Sequence, residues 1–313
     1  MRRGKKDFLK VFKERVGDGL RKSVPLRCYS SFRIGGDADY FFEAKSISEL
    51  VKSISLAREF LIPFYIIGGG YNILFDDEGF RGLIIKNSSR GIYLKEKEVE
   101  ALSGTLLREI LEFSSERSLG GFEFLAGIPG TVGGAVFSNS GAFGESVGDI
   151  LNRALLLKVN GEEIEVGNDY FRFGYRTSFI QKSKDILLRA SFLFQKTRKE
   201  EIQAKIQENL RKRREKLPPP QVASAGSYFK NPVLPDGRRV AAGYLLEKVN
   251  AKELQIGEAA VDSSHANFII NKGNASAKEV KKLAEELKKR VREKFNVELE
   301  EEVIYLPANP LGA

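Results

Sequence analysis

One cysteine, one histidine, one methionine and no tryptophan occur in this chain of 313 residues, and these scarcities remove whole classes of chemistry. A lone Cys28 can form neither an internal disulfide nor a multi-cysteine metal site, which fits a reducing cytoplasm. A lone His265 supplies a zinc centre or a Ser-His-Asp triad poorly, so metal hydrolysis and acyl transfer are disfavoured and no metal is expected. Long hydrophobic runs are missing too: no apolar stretch reaches the roughly 18 residues of a membrane span. The basic N-terminus, Met1 to Lys6, leads into the interrupted pattern Phe8, Leu9, Phe12, Val16, which reads as an amphipathic helix over 7–16 and not as a signal peptide. Chemistry is left to a cofactor, carboxylates, hydroxyls and arginines.

The net charge of +9 suits nucleic acid, anionic small molecules or a lysine-rich surface, the last being the default. The most basic segment, Lys196 to Lys216, carries Ile202, Ile206 and Leu210 at helical spacing, which describes an amphipathic helix with a charged outer face. Aromatics do not interleave there as a single-strand-binding platform needs, so nucleic acid is a weak alternative. The length implies two or three domains.

Glycine, by contrast, is concentrated. Gly127-Ile128-Pro129-Gly130-Thr131-Val132-Gly133-Gly134-Ala135 and the earlier Gly68-Gly69-Gly70-Tyr71-Asn72, which follows the apolar run Ile62 to Ile67, both suit backbone that must approach a ligand closely. Either alone reads as a tight turn; together they suggest a dinucleotide. Neither has the spacing of the Rossmann fingerprint or the Gly-Lys-Ser/Thr of a nucleotide-triphosphate loop, so another phosphate-binding fold is implied.

Local signals order the rest. Ser46-Ile47-Ser48-Glu49 is a capping box opening a helix through Leu50, Ile54 and Ala57 that feeds the strand 62–67. Leu83 to Ile85 reads as a strand, Thr105 to Arg117 as a helix, and Asn160-Gly161 as the turn of a hairpin between 154–159 and 162–166. A strand over 186–194 and a helix over 199–216 precede Pro218-Pro219-Pro220, a boundary or stiff spacer. The final long helix opens with Ser276-Ala277-Lys278-Glu279 and buries Val280, Leu283, Leu287 and Val291.

Four segments are more polar or constrained than packing demands: Ser138 to Gly144; Phe173-Gly174-Tyr175-Arg176, with an arginine after a glycine kink; Ser224 to Pro232, with hydroxyls, a lysine and an amide; and Leu299 to Val303. Singly, Arg176 reads as a surface ion pair, Ser227 as a turn hydroxyl bonding its own backbone, and Glu302 as a solvated carboxylate. Strand alternation argues otherwise for Glu302, placing it opposite Glu301 and beside Ile304 and Leu306, partly buried.

Taken in order, SFRIGG at 31–36, GGGYN at 68–72, GIPGTVGGA at 127–135, NSGAFG at 139–144, FGYRTSF at 173–179, SAGSYFKNP at 224–232, HANF at 265–268 and LEEEV at 299–303 resemble the UDP-N-acetylenolpyruvoylglucosamine reductase family, over about Leu26 to Leu306. The resemblance implies an α+β protein with a two-lobed FAD-binding region of the vanillyl-alcohol oxidase type and a C-terminal α+β substrate-binding domain. It implies non-covalent FAD, NADPH as hydride donor, and reduction of the enolpyruvyl ether of a UDP-sugar during peptidoglycan precursor synthesis in the cytoplasm. It assigns Arg176 to the substrate carboxylate, Ser227 to proton donation and Glu302 to the catalytic glutamate. Gly68, Gly69, Gly70, Tyr71, Asn72, Gly127, Ile128, Pro129, Gly130, Thr131, Gly133, Gly134, Ala135, Gly141 and Gly144 fall to the cofactor, and Tyr175, Lys230 and Asn231 to the substrate. The implied division is 1–86 rejoined by 300–313, 87–195, and 196–299, in an expected monomer.

Departures from the family pattern are local. The stretch 216–223 lacks the Gln-Pro pair and the proline before Ser224, and Ile304 stands where an arginine often follows Glu-Val. The short connection between Arg176 and the serine motif resembles the compact second type of the family. A related flavin oxidase would share the glycine loops, yet would have no reason for SAGSYFKNP.

Overall fold

The computed structural model describes residues 5–309 except Pro235, so the tip 1–4 of the basic N-terminus and residues 310–313 lie outside the described residues. By compactness the chain divides into two units, one of 1–21, 41–68 and 83–213, the other of 22–40, 69–82 and 214–313.

In the first unit the helix Lys5–Arg15 presents Phe8 and Phe12 one turn apart, both fully buried and packed edge-on against Phe60 and Phe42. The helix Ile47–Glu59 starts where expected, Ser46 accepting the Glu49 N–H, but the Glu49 carboxylate reaches back to the Lys45 N–H, one residue beyond the box position. Its apolar face, Leu50, Ile54 and Ala57, is buried, and the chain returns as Phe64–Ile67, paired in parallel with 83–86.

The larger sheet of this unit is antiparallel and five-stranded, in the order Glu163–Gly167, Leu151–Leu157, Ile186–Leu193, Glu98–Leu102, Ile92–Lys95. The expected hairpin forms with a three-residue loop: the Gly161 N–H returns to the Lys158 carbonyl, and Gly161 takes φ +90°. A type I turn closed by a left-handed glycine explains why Gly and not Asn occupies the positive-φ position. Leu107, Ile110 and Leu111 of the helix Leu107–Glu116 join the core of this sheet; in Lys199–Lys216 Ile202 is buried, and Ile206 and Leu210 pack against that core.

The second unit holds a four-stranded antiparallel sheet, ordered Ser224–Ser227, Phe268–Asn271, Ala259–Val261, Gln255–Ile256. The helix Ala277–Phe295 buries Val280, Leu283, Leu287 and Val291, as its sequence pattern requires. Its start is doubly satisfied, by the Ser276/Glu279 box and by the Asp77 carboxylate, which accepts the Ala277 and Lys278 N–H groups at 2.7 and 3.1 Å. The final strand Ile304–Leu306 pairs in parallel with Ile73–Phe75. The strict alternation expected through Glu302 is interrupted: the strand begins only at Ile304, after a bend that buries Val303 together with Leu306, while Glu302 and Ile304 are half-buried.

Leu287→Ala should lower the unfolding free energy by about 2–5 kcal/mol through lost burial and a residual cavity. The exposed Lys289→Ala should change it by less than about 0.5 kcal/mol. Urea denaturation followed by circular dichroism checks both.

Candidate active site

The candidate residues fall into two groups, one in each unit. In the first unit the glycine loop 127–135 runs into the helix Val132–Ser138, whose N-cap Thr131 accepts the Gly134 N–H at 3.3 Å. Gly127 and Gly130 take φ +73° and +150°, which L side chains rarely adopt. The loop is half inside and half out: Thr131, Val132 and Ala135 are buried, Ile128 packs on the core, and Gly127, Pro129 and Gly134 are exposed.

Its N–H groups divide likewise. Those of Val132, Gly133 and Ala135 go to the carbonyls of Thr105, Ser103 and Thr131, whereas those of Gly127, Gly130 and Thr131 have no hydrogen-bond partner among the described residues. A Cβ at Gly130 would meet only Leu107 Cδ1 at 3.7 Å, and one at Gly134 only Thr131 Oγ1 at 3.7 Å, so this side of the backbone is open. At Gly68, by contrast, a Cβ would sit 2.5 Å from Thr131 Oγ1. Gly68 therefore lets its own backbone approach the Thr131 side chain closely.

Arg176 stands on a tight turn in which Gly174 and Thr177 exchange N–H···O bonds of 3.1 and 3.2 Å. The positive φ falls on Arg176 itself, +59°, and not on Gly174, so the expected glycine kink is in the wrong place by two residues. Left-handed backbone at an arginine costs roughly 1–2 kcal/mol and persists only where neighbours over-determine it. Those neighbours come from the NSGAFG segment: Asn139 Nδ2 donates to the Gly174 carbonyl at 3.0 Å, and Arg176 Nη1 donates to the Gly141 carbonyl at 3.2 Å. Gly144 and the exposed Phe143, at φ +90° and +59°, form the two-residue turn of the hairpin Gly141–Ala142/Glu145–Ser146. Tyr175 is 38% exposed, its ring 5.5 Å from the Arg176 guanidinium.

A second guanidinium lies in the same unit. Arg213 packs its Cδ and Nε over Gly127, close enough that a Cβ there would meet both at 3.0 Å. Burial first, and the Arg176 charge second, push Arg213 below the ordinary arginine range. The sequence pattern puts the charges of the helix 199–216 on its outer face, and for Arg213, half-buried over Gly127, this is incorrect. The residue continues the inward stripe Ile202, Ile206, Leu210 by one further turn, a signal present in the sequence but masked by the neighbouring charges. Two repelling cations beside exposed loop backbone make this part of the unit suited to anionic ligands.

In the second unit Gly70 takes φ +70° and its Cα lies so close to the Tyr29 carbonyl that a Cβ would be 1.9 Å from the oxygen; Tyr71 is exposed. Asn72 Nδ2 donates to the Glu302 carbonyl at 3.0 Å, and the Asn72 carbonyl accepts the Ile304 N–H at 3.0 Å. The segment 300–302 runs beside 228–230, with Glu302 N–H to the Tyr228 carbonyl and Lys230 N–H to the Glu300 carbonyl, both 2.8 Å. This unit thus brings Asn72, Ser227, Lys230 and Glu302 onto adjoining backbone. Ser227 is half-buried and its hydroxyl makes no hydrogen bond to a described residue, so the self-bonded turn is not formed. Lys230 Nζ pairs with Glu300 at 2.6 Å, and Asn231 Oδ1 caps the following helix at the Ala242 N–H.

Residues 218–306 match the C-terminal domain of UDP-N-acetylenolpyruvoylglucosamine reductase, and 38–167 match an FAD binding domain. The chain is 37% identical to the UDP-N-acetylenolpyruvoylglucosamine reductase of Clostridium botulinum over 91% of its own length and 92% of that protein's. It is 38% identical to the one from Caldanaerobacter subterraneus subsp. tengcongensis, over 93% and 95%. The chain belongs to the UDP-N-acetylenolpyruvoylglucosamine reductase family. A crystal structure of the Thermus caldophilus reductase superposes with a TM-score of 0.77 at 30% identity, covering 92% of this chain and all of that one. FAD fits the residues present: the unused N–H groups of Gly127, Gly130 and Thr131, the open side of Gly130 and the adjacent guanidiniums suit a pyrophosphate.

Gly130→Val should therefore reduce the FAD content of this reductase, by about tenfold in affinity if the strain and intrusion amount to roughly 1.4 kcal/mol. Flavin absorbance per protein after gel filtration measures it. Full occupancy would place the cofactor elsewhere.

Proposed function

We propose that this chain reduces UDP-N-acetylglucosamine enolpyruvate to UDP-N-acetylmuramate, with NADPH as hydride donor and FAD as carrier, in peptidoglycan precursor synthesis. The observation that carries this reading is the 37% and 38% identity, over nine-tenths of both chains, to reductases of that name. When bound, FAD accepts hydride from NADPH and passes it to the terminal carbon of the enolpyruvyl group. That chemistry needs no histidine and no metal from the chain.

The protein's task is charge and proton placement. As the terminal carbon becomes a methyl group, the electron pair of the double bond moves toward the carboxylate, and the planar guanidinium of Arg176 neutralises it through paired hydrogen bonds. Ser227 Oγ–H gives its proton to the carbon bearing the ether oxygen, which completes the lactyl group. Glu302 acts in this same half-reaction, held at its backbone by Asn72 and Tyr228. Lys230, Asn231 and Tyr175 contact the UDP-sugar, and the two glycine loops, with Gly141 and Gly144, hold the cofactor. The three-part division 1–86 with 300–313, 87–195 and 196–299 describes these ligand roles and differs from the two compact units. A cytoplasmic monomer is the proposed state; no helix among the described residues is long and apolar enough to cross a membrane.

Two half-reactions separate the roles. Ser227→Ala should bleach with NADPH at the wild-type rate, but re-oxidise with the enolpyruvyl substrate about 10² to 10⁴ more slowly, the usual contribution of a positioned general acid. Anaerobic stopped flow at the flavin band reads both; re-oxidation at the wild-type rate would assign the proton to another group. Arg176→Lys keeps charge but loses the fork, so it should slow re-oxidation while leaving FAD content unchanged. Loss of flavin with unaltered turnover per flavin would make Arg176 structural.

A further inference from the structure

The strand that carries Ser227 is poorly determined by its own ladder. Ser224 pairs with Ile270 and Ser227 with Phe268, so three steps on one strand oppose two on the other, and Gly226 within the bulge takes φ +81°. A Cβ on Gly226 would meet nothing within 4 Å, so packing does not hold this residue either. Regular pairing ends at Ser227, which leaves the rotation of its peptide plane, and the direction of its hydroxyl, to whatever fixes the next two residues.

Two partners do this: the segment 300–302, whose Glu302 N–H donates to the Tyr228 carbonyl at 2.8 Å, and Asn267 on the other side. The Tyr228 N–H donates to the Asn267 carbonyl at 2.8 Å, the Phe229 N–H to Asn267 Oδ1 at 2.9 Å, and Asn267 Nδ2 to the Phe229 carbonyl at 2.8 Å. Asn267 is 4% exposed, so these bonds are shielded from water and their loss would leave buried backbone groups unsatisfied. Its own N–H donates to His265 Nδ1 at 3.2 Å, an acceptor that exists only while that nitrogen is unprotonated; burial lowers the His265 pKa and favours that form. The side-chain amide thus copies a strand partner for Phe229, where the bulge has ended the true one, midway between Ser227 and Lys230.

We infer that Asn267 is a positioning residue of the substrate half-reaction, acting through the backbone of 228–229 on the aim of the Ser227 hydroxyl. The inference rests on the reading of Ser227 as proton donor. Asn267 touches neither reacting carbon nor flavin in this scheme, so its effect is on geometry alone. A misplacement of about 1 Å can cost on the order of 10²-fold in rate.

Asn267→Asp keeps the shape and the acceptor for the Phe229 N–H, but sets an oxygen against the Phe229 carbonyl. Asn267→Gln keeps both polar groups and displaces them by one methylene. Both are compared as FAD-loaded protein with wild type, Ser227→Ala and the double variant Ser227→Ala/Asn267→Asp. The expected result is normal FAD content, flavin reduction by NADPH within about twofold of wild type, and re-oxidation by the enolpyruvyl substrate slowed roughly 10- to 100-fold. The double variant should re-oxidise no more slowly than Ser227→Ala, since a mis-aimed hydroxyl cannot matter once the hydroxyl is gone. If Ser227→Ala is slow but both Asn267 variants re-oxidise normally, the positioning role is wrong and the donor reading stands. If both half-reactions fall together, or the double variant is slower than Ser227→Ala by the full Asn267 factor, Asn267 is a general structural residue. Should Ser227→Ala itself re-oxidise at the wild-type rate, the donor reading fails and the inference with it.

Discussion

Hydrogen bonds from asparagine amides to main-chain groups hold each of the candidate catalytic segments in place. Arg176 sits in left-handed backbone tethered by Asn139, Glu302 precedes a bend and has its carbonyl held by Asn72, and Ser227 ends a bulge whose next two residues are bonded by Asn267. None of the three stands inside a regular helix or an unbroken strand. Irregular backbone exposes N–H and C=O groups that no ladder satisfies, and an amide, with one donor and one acceptor in a plane, is the side chain that replaces a missing strand partner. Asn139 uses both ends in this way, donating to the Gly174 carbonyl and accepting the Gly148 N–H at 2.8 Å.

The same irregularity leaves backbone groups open to a ligand. Backbone is offered to a ligand only where the chain's own ladders stop, as they do at Gly127, Gly130 and Thr131. The charge nearby follows from that arrangement: Arg213 lies over Gly127 and is depressed by its own burial and by Arg176, an arrangement that an isolated fold gains nothing from. Cofactor and substrate are both polyanionic, and bound beside these arginines, as proposed, their negative charge would offset this repulsion. With the redox step carried by FAD, the scarcity of histidine and cysteine does not limit the chemistry.

Much of the fold was legible because period and capping are local. The helices 47–59, 199–216 and 277–295, the hairpin about Asn160-Gly161 and the inward stripe of the last helix all form where apolar spacing and cap residues place them. Motifs also located the candidate residues along the chain. Tether partners were not legible, because Asn139 to Gly174, Asn72 to Glu302 and Asn267 to Phe229 are bonds over 35, 230 and 38 positions, and an asparagine in a turn looks the same whether it bonds locally or far away. Arg213 departs from the charged outer face because it stands one turn beyond Leu210 on the apolar stripe, and the alternation expected through Glu302 fails because a bend at Val303 resets the period.

The central claim is that the reduced flavin of this protein gives its electrons to an enolpyruvyl UDP-sugar. The direct measurement is anaerobic: bleach the holoprotein with one equivalent of NADPH, add UDP-N-acetylglucosamine enolpyruvate, and follow flavin absorbance and product together. The account predicts that colour returns and that one UDP-N-acetylmuramate forms per flavin. A flavin that stays bleached with this substrate, and recovers only when oxygen is admitted, would contradict it.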